Sequence, residues 1–116
     1  MALTKTRELI TQVTATGQST VIDIADSYRS AAYIKHVNGT GTITVAASVQ
    51  VQVRPEGGSD WFAYGGALRP STTASATQEW VVELPDSAGD VRLDYISPTG
   101  STGHTLNMEI GEVTAF

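Results

Sequence analysis

The stretch that decides the fold is residues 42–53, Thr42-Ile-Thr-Val-Ala-Ala-Ser-Val-Gln-Val-Gln-Val53. Apolar and polar side chains alternate along it with a period of two, which is the pattern of a half-buried β-strand. The apolar face carries Ile43, Val45, Ala47, Val49, Val51 and Val53. The opposite face is small and mostly polar without charge, so it suits contact with another protein or with water. We expect a long strand here that packs on a core through one face.

Turn signals on both sides of this strand predict three hairpins. Asn38-Gly39 tolerates the positive φ of tight primed turns, and it therefore joins residues 30–37 to the long strand. After the long strand, residues 61–64 return beside it. The remaining hairpin lies upstream and pairs residues 8–14 with residues 18–24.

The rest of the chain predicts one irregular loop and three more strands. Residues 65–75 contain Gly-Gly and a Pro-Ser-Thr-Thr run, which predict a projecting loop that is a candidate for docking. Strands are expected at 77–84, 91–95 and 106–110, with a bulge at Gly111. Alternation places three residues of the middle strand inward: Val91, Leu93 and Tyr95.

These strands define an all-β protein. About seven to eight antiparallel strands, separated by turns roughly every ten residues, predict a single β-sandwich or jelly roll. A chain of 116 residues is large enough for one core and too short for two ordinary domains. The predicted β-sandwich domain spans residues 8–116. Residues 1–7 are largely polar and predict a flexible N-terminal arm, which is either a free tail or an arm that orders upon a neighbouring subunit.

Composition argues against several classes of function. The chain has no cysteine, which removes disulfide frameworks and thiol nucleophiles. The formal net charge is −5 and the basic residues do not cluster, so nucleic acid is not an expected partner. No stretch approaches the roughly 20 apolar residues that cross a bilayer, and the first residues lack the apolar middle of a signal peptide. We therefore expect a soluble protein that is made in a cytoplasm and has no membrane partner.

No residue pattern predicts catalysis or a metal site. His36 and His104 flank turns without a nucleophile-elbow sequence, and we interpret both as surface residues at strand ends. They also lack the short spacing that lets one element present two zinc ligands. Four carboxylates are interpreted as solvent-face charges: Glu79, Glu83, Asp94 and Glu109. We expect no enzyme, no cofactor, and no catalytic, cofactor-binding or metal-binding residue.

The aromatic residues after the long strand predict an interaction surface. Trp61 and Tyr64 are assigned to it because an exposed ring stacks on a sugar or anchors a protein interface. Arg69, in the projecting loop, is assigned to the same interface. The alternative is that Trp80 and at least one of Trp61 and Phe62 fill the core. Three residues of the arm complete the predicted interface: Thr4, Lys5 and Arg7.

Three segments of the chain resemble small virion proteins of tailed bacteriophages. They are Val49-Gln-Val-Gln-Val-Arg-Pro-Glu-Gly-Gly-Ser-Asp-Trp-Phe62, Trp80-Val-Val-Glu-Leu-Pro85 and Asp90-Val-Arg-Leu-Asp-Tyr95, followed by a closing hairpin rich in Gly and Thr. The resemblance covers about the C-terminal two thirds of the chain. In such proteins a strand, a turn like this Gly-Ser-Asp-Trp, a loop and a Val-Arg strand recur in compact β-sandwiches that decorate capsids or cap tails and fibres.

Within that class the chain is most similar to a capsid decoration, or cement, protein. The resemblance implies a structural protein on the capsid surface of the virion, made in the host cytoplasm and bound over joints between subunits of the major capsid protein. It also implies self-association as trimers or dimers, of which we expect a homotrimer. The arm would lie on the capsid or on an adjacent copy, with Lys5 and Arg7 meeting acidic capsid patches. Two rival functions remain: a receptor- or glycan-binding module on a fibre or tail, and a head-to-tail joining protein.

Overall fold

The chain folds into β-strands joined by turns and loops. The computed structural model describes residues 4–9, 14–25 and 29–115, and for residues 4–9 and 114–115 it describes the backbone alone. Within this part of the chain there are nine strands and no helix. Their bounds are β1 (Thr4–Leu9), β2 (Gly17–Gln18), β3 (Ile22–Asp23), β4 (Arg29–Val37), β5 (Ser48–Pro55), β6 (Phe62–Ala63), β7 (Thr77–Glu83), β8 (Ala88–Ile96) and β9 (Thr105–Ala115).

The strands form two antiparallel sheets. The first sheet has the order β1-β9-β4-β7. The second has the order β2-β8-β5-β6, and β3 also pairs with β8. This arrangement confirms the all-β class and the β-sandwich that the alternation predicts.

The core lies between the two sheets. Because successive side chains of a strand point to opposite faces, β4 and β9 each send every second residue inward from the first sheet. Strands β5 and β8 do the same from the second sheet, and Val91, Leu93 and Tyr95 are buried as alternation predicts. The buried apolar residues of the four central strands are Ala32, Ile34, Val49, Val51, Ala88, Val91, Leu93, Tyr95, Leu106, Met108 and Ile110.

The predicted first hairpin is wrong. Strand β1 pairs with β9 in the first sheet, whereas β2 and β3 pair with β8 in the second sheet. The described residues of the two segments therefore lie in opposite sheets and do not pair with each other, and residues 10–13 of the predicted hairpin lie outside the described residues. Local alternation identified extended chain at both places, but partners that lie 67 to 111 residues away leave no local signal.

Strand β1 also begins earlier than predicted. Its backbone pairs with β9 from Thr4 onward, and Arg7 lies opposite Gly111. Residues 4–7, which the sequence assigns to the arm, are therefore part of the first sheet in this structure. The division of the chain into an arm and a domain stays a prediction.

The bulge predicted at Gly111 is not formed there. The pairing of β9 with β4 runs through Gly111 without a register shift, and the register shift between β1 and β9 lies between Thr4 and Lys5.

The predicted hairpin at Asn38-Gly39 is also wrong. At this point the chain leaves β4 in the first sheet and crosses to β5 in the second. Asn38 is buried, and its Nδ2 donates to the carbonyl oxygens of Ser71 (2.8 Å) and Thr73 (2.9 Å). Gly39 is required by close approach and not by a turn, because a Cβ built there would lie 1.7 Å from the Thr102 carbonyl oxygen.

Residues 42–53, which the sequence predicts to be one long strand, form a strand over only part of their length. Strand β5 begins at Ser48, with Val49 and Val51 buried as predicted. Upstream, Val45 pairs with Thr99 in an isolated bridge and is 59% exposed, so its assignment to the buried face is wrong. The hairpin downstream is confirmed, because β6 returns antiparallel to β5.

Candidate interaction surface

The outer face of the second sheet carries a group of polar and aromatic side chains that we call the arginine–tryptophan patch. It consists of Arg54, Trp61 and Arg92, with Gln52 and Asp90 beside them. Gln52 and Arg54 come from alternate positions of β5, and β8 brings Asp90 opposite Arg54 and Arg92 opposite Gln52. Trp61 lies in the connection between β5 and β6. The pairing of β5 with β8 therefore assembles the patch from residues that are distant in sequence.

Each member of the patch is held by another. Arg54 donates from Nε to Asp90 Oδ2 at 3.0 Å, and its Nη2 lies 2.9 Å from the same oxygen. Arg92 donates from Nε to Gln52 Oε1 at 2.7 Å. The Trp61 ring receives both guanidinium groups, with its centroid 4.5 Å from Arg54 Cζ and 4.2 Å from Arg92 Cζ. These distances are those of cation–π contacts, which favour a charge over an aromatic face.

The two arginines differ in their charge balance. Arg54 has the Asp90 carboxylate as a partner, so this pair is neutral as a unit. Arg92 is held by a neutral amide and an aromatic ring, and its Nη atoms have no hydrogen-bond partner among the residues that the structure describes. Guanidinium donors are arranged in a planar fork that matches a carboxylate or a phosphate. The patch can therefore present oriented hydrogen-bond donors to a ligand.

The predicted interface residues have different surroundings. Trp61 is part of the arginine–tryptophan patch. Tyr64 is partly buried against the core, and its backbone N–H donates to the Val51 carbonyl oxygen at 2.9 Å. Arg69 is exposed and follows Leu68, which bridges to β5. Thr4, Lys5 and Arg7 lie on β1, and their side chains are outside the described residues. The interface role of all six residues stays a prediction.

The alternative assignment of the aromatic residues to the core is correct only for Trp80. Trp80 packs against the core from β7. Phe62 is 57% exposed, and Trp61 packs against the two arginines instead of the core. The sequence did not point to Arg54 or to the pairing of Arg92 with Gln52. Alternation places these side chains on outer faces, but only the order of β5 and β8 makes them neighbours.

The outer face of the first sheet carries an apolar pair. Tyr33 on β4 lies opposite Val81 on β7, and they are 50% and 62% exposed. Beside Tyr33 is an open groove with a volume of about 620 Å³, which Ala31 and Gly111 also line. Directly opposed aromatic and β-branched residues stabilise a sheet, and such side chains left in solvent are also a feature of contact surfaces.

The histidines do not occupy the surface positions that the sequence predicts for them. His36 is fully buried, and its Nε2 lies 2.8 Å from the Tyr95 hydroxyl, which links β4 in one sheet to β8 in the other. The His104 ring lies on the same tyrosine, with ring centroids 6.0 Å apart, and both of its nitrogens are buried. Burial, with a smaller contribution from nearby His104, lowers the pKa of His36 to about 4. Burial raises the pKa of Tyr95 to about 12.

The described residues contain neither a metal-binding cluster nor a membrane-spanning helix. No group of three or more His, Cys, Asp or Glu side chains is arranged to hold a metal ion in that part of the chain. The same residues contain no helix with the length and apolar character needed to cross a membrane.

Comparison with known proteins reveals a likeness in fold alone. No protein-family model matches the chain, and no curated protein matches its sequence. Among solved structures, the SPBc2 prophage-derived protein YomS superposes with a TM-score of 0.54 at 13% identity, over 97% of this chain and 96% of that one. A protein of the Bacillus endospore appendages, a family of disulfide-linked pili, covers 99% of this chain and 93% of its own at 14% identity, but the TM-score of 0.43 is too low to support an argument. YomS therefore shares the β-sandwich over nearly its whole length.

Proposed function

We propose that this protein is a non-enzymatic structural component of a tailed-bacteriophage virion, and within the virion a capsid decoration protein. It would bind as a homotrimer over joints between subunits of the major capsid protein, on the outer surface of the head. The observation that carries the proposal is that both broad faces of the sandwich present side chains typical of contact surfaces. One face has the Tyr33–Val81 pair, and the other has the arginine–tryptophan patch.

Two further observations support the proposal. The fold matches that of a prophage-derived protein over nearly the full length of both chains. In addition, a small sandwich with two usable faces suits a protein that contacts several subunits at once. Repetition on a shell and trimerisation both raise the effective concentration of the binding sites. Contacts that are weak one by one are therefore sufficient for stable attachment.

The proposal is tested by binding to shells. Particles from an induced lysate of the strain that carries the gene would be purified by density gradient and analysed by mass spectrometry. The purified protein would then be sedimented with shells from a virus that lacks the gene, and with unassembled major capsid protein. We expect the chain in the particles, and co-sedimentation with shells but not with free subunits. Particles that lack the chain would refute the virion role.

A second candidate function is a receptor- or glycan-binding module on a fibre or tail. The observation that favours it is the open groove beside the half-exposed Tyr33 ring, since an aromatic face in a groove suits the apolar face of a sugar. Particles that contain the chain in their tails and not on their heads, together with loss of adsorption in the Tyr33→Ala variant, would favour this function over decoration.

A further inference from the structure

We infer that copies of this protein join edge to edge, with strand β1 of one copy added to strand β7 of the next. These strands are the two edges of the first sheet, whose order is β1-β9-β4-β7. The contact continues one sheet from copy to copy. The choice of a trimer as the closed form rests on the proposed function, whereas the contact itself rests on the two strands.

The free edge of β7 carries a row of outward-pointing backbone groups. At the two ends of its pairing with β4, the Leu84 N–H donates to the Ser30 carbonyl oxygen and the Asn38 N–H donates to the Ala76 carbonyl oxygen. Residues bonded to a neighbour alternate along an antiparallel strand, so the even-numbered residues of β7 bond to β4. The groups that point away from β4 have no backbone partner among the described residues, and they belong to Thr77, Glu79, Val81 and Glu83.

The side chains at this edge leave room for another strand. On the outer face, Glu79, Val81 and Glu83 are exposed. On the inner face, Trp80 and Val82 pack against the core but are only partly buried. A strand that pairs with β7 would bury more of both inner side chains, together with the row of backbone groups. An open edge of seven residues is therefore a template for strand addition.

The charges of β7 select the strand that is added. When two β7 strands pair antiparallel about Glu79 or about Val81, two glutamates lie directly opposite each other, which destabilises a sheet. Pairing about Trp80 still makes the two Glu79 residues diagonal neighbours. Glu79 lies opposite Lys35 within the sheet without forming an ion pair with it. The edge therefore disfavours a second β7 and favours a strand that carries cations.

Strand β1 is an edge strand of opposite charge. Its six residues, Thr-Lys-Thr-Arg-Glu-Leu, include two cations and one carboxylate, whereas β7 has two carboxylates and no cation. The backbone registers across β9 and β4 place Arg7 in the same row as Glu83. Because alternate positions of a strand share a face, Lys5 and Arg7 occupy the positions that correspond to the outer face of β7.

The strand directions also match. Strand β1 is antiparallel to β9, β9 to β4, and β4 to β7, so β1 and β7 run in opposite directions. A second copy placed beside the first in the same orientation therefore brings its β1 antiparallel to β7. The register that sets Arg7 opposite Glu79 sets Lys5 opposite Val81, where Lys5 is a diagonal neighbour of both glutamates of β7.

The contact is head to tail, because it joins two different edges. Such an interface closes into a ring when the rotation between neighbouring copies closes, and otherwise grows into a filament. The homotrimer of the proposed function is such a ring with three copies.

The first test combines light scattering with amide hydrogen exchange of the full-length protein, at low ionic strength and over a range of concentrations. In the monomer, the even-numbered amides of β7 should be protected and the odd-numbered amides should exchange rapidly. We expect the odd-numbered amides to lose their rapid exchange as oligomers form. A protein that stays monomeric, or oligomers in which these amides still exchange rapidly, would overturn the inference.

Charge exchange tests which edges meet. The double variant Glu79→Lys, Glu83→Lys has two basic edges, and the double variant Lys5→Glu, Arg7→Glu has two acidic edges. We expect each alone to associate about tenfold more weakly, because each change removes an attraction and adds a repulsion. An equimolar mixture should regain association, since each unchanged edge then meets a complementary one. Wild-type association of the Lys5→Glu, Arg7→Glu variant alone would exclude β1 from the contact.

Two controls separate the edge from net charge and from folding. Glu56→Lys with Asp60→Lys adds the same charge at exposed positions between β5 and β6, and it should associate like the wild type. Val81→Pro removes an outward N–H and no bond to β4, so it should melt like Val81→Thr but fail to associate. Equal association of Val81→Pro and Val81→Thr would contradict strand addition at β7.

Binding to shells separates this inference from the proposed function. If the wild type forms oligomers through these edges but does not bind shells, the proposed function fails and the edge contact stands. If it binds shells as a monomer, decoration stands and the edge contact fails. Protection of the odd-numbered β7 amides only in the presence of shells would mean that a capsid strand occupies the edge, and would overturn the inference.

Discussion

Acid should destabilise this protein through His36. The imidazole is fully buried, and its pKa is lowered from 6.5 to about 4, chiefly by burial. In the unfolded chain the histidine binds a proton as the pH falls through its ordinary pKa, but in the folded protein it stays neutral until the pH approaches 4. Between these values the unfolded state binds more protons, so the free energy of unfolding falls as the pH falls. Well above pH 6.5 the contribution is constant, because the histidine is neutral in both states.

The magnitude follows from the size of the shift. A pKa lowered from 6.5 to about 4 corresponds to a loss of at most about 3.4 kcal/mol once the pH has fallen from well above 6.5 to well below 4. About 2 kcal/mol of this should be lost between about pH 7 and pH 5. Urea unfolding followed by tryptophan fluorescence at a series of pH values would measure the loss directly.

Two variants isolate the effect of His36 from that of the other groups of the protein. His36→Leu should be less stable at neutral pH, because it leaves the Tyr95 hydroxyl without its partner, but its unfolding free energy should lose about 2 kcal/mol less than the wild type over the same pH range. Tyr95→Phe removes the same hydrogen bond and keeps the buried imidazole, so its pH dependence should match the wild type. If His36→Leu and the wild type show the same pH dependence, burial of the imidazole does not govern acid stability.

Three other substitutions or deletions test the fold and the interface. Val51→Asp should prevent folding, because it places an unpaired charge on the buried face of β5, and a soluble variant that melts cooperatively would contradict that register. Gly39→Ala should cost about 3 kcal/mol or more, since its Cβ has no room beside the Thr102 carbonyl; a wild-type melting temperature would show that this approach is looser than described. Deletion of residues 1–7 removes most of the edge strand β1 and no residue of the described core, so the protein should still fold but should bind shells or itself more weakly. Unchanged sedimentation with shells would mean that this segment makes no contact.

The sequence predicted features that depend on neighbouring residues. Alternation identified the buried residues of β8, and a turn rich in glycine identified the hairpin of β5 and β6, because strand and turn are close in sequence. The Asn38-Gly39 signal is equally local, and it failed because the Asn38 amide binds carbonyl groups of the loop at residues 71–73. A turn motif reports the conformations that residues tolerate, but not the contacts that compete for them.

The candidate surface was predicted only in part for a similar reason. Trp61 was assigned to it from its type and place, but Arg54 and Arg92 join it through the pairing of β5 with β8. His36 shows the same limit from the inside of the protein. Its burial is tolerated because Tyr95, 59 residues away, supplies a hydrogen bond from the other sheet. Pairing across such distances leaves no periodicity in the sequence.

The position of β9 has a consequence for how the molecule is made. This strand leaves the ribosome after every other described strand, yet it lies between β1 and β4 in the first sheet. The second sheet needs nothing beyond β8, so its pairing can be complete while β9 is still being synthesised. Until β9 is made, β1 has no partner strand within its sheet, and one hydrogen-bonding edge of β4 is unpaired. Chains that wait in this state expose strand edges to one another, so a nascent or truncated form of this protein should depend on chaperones far more than the finished one.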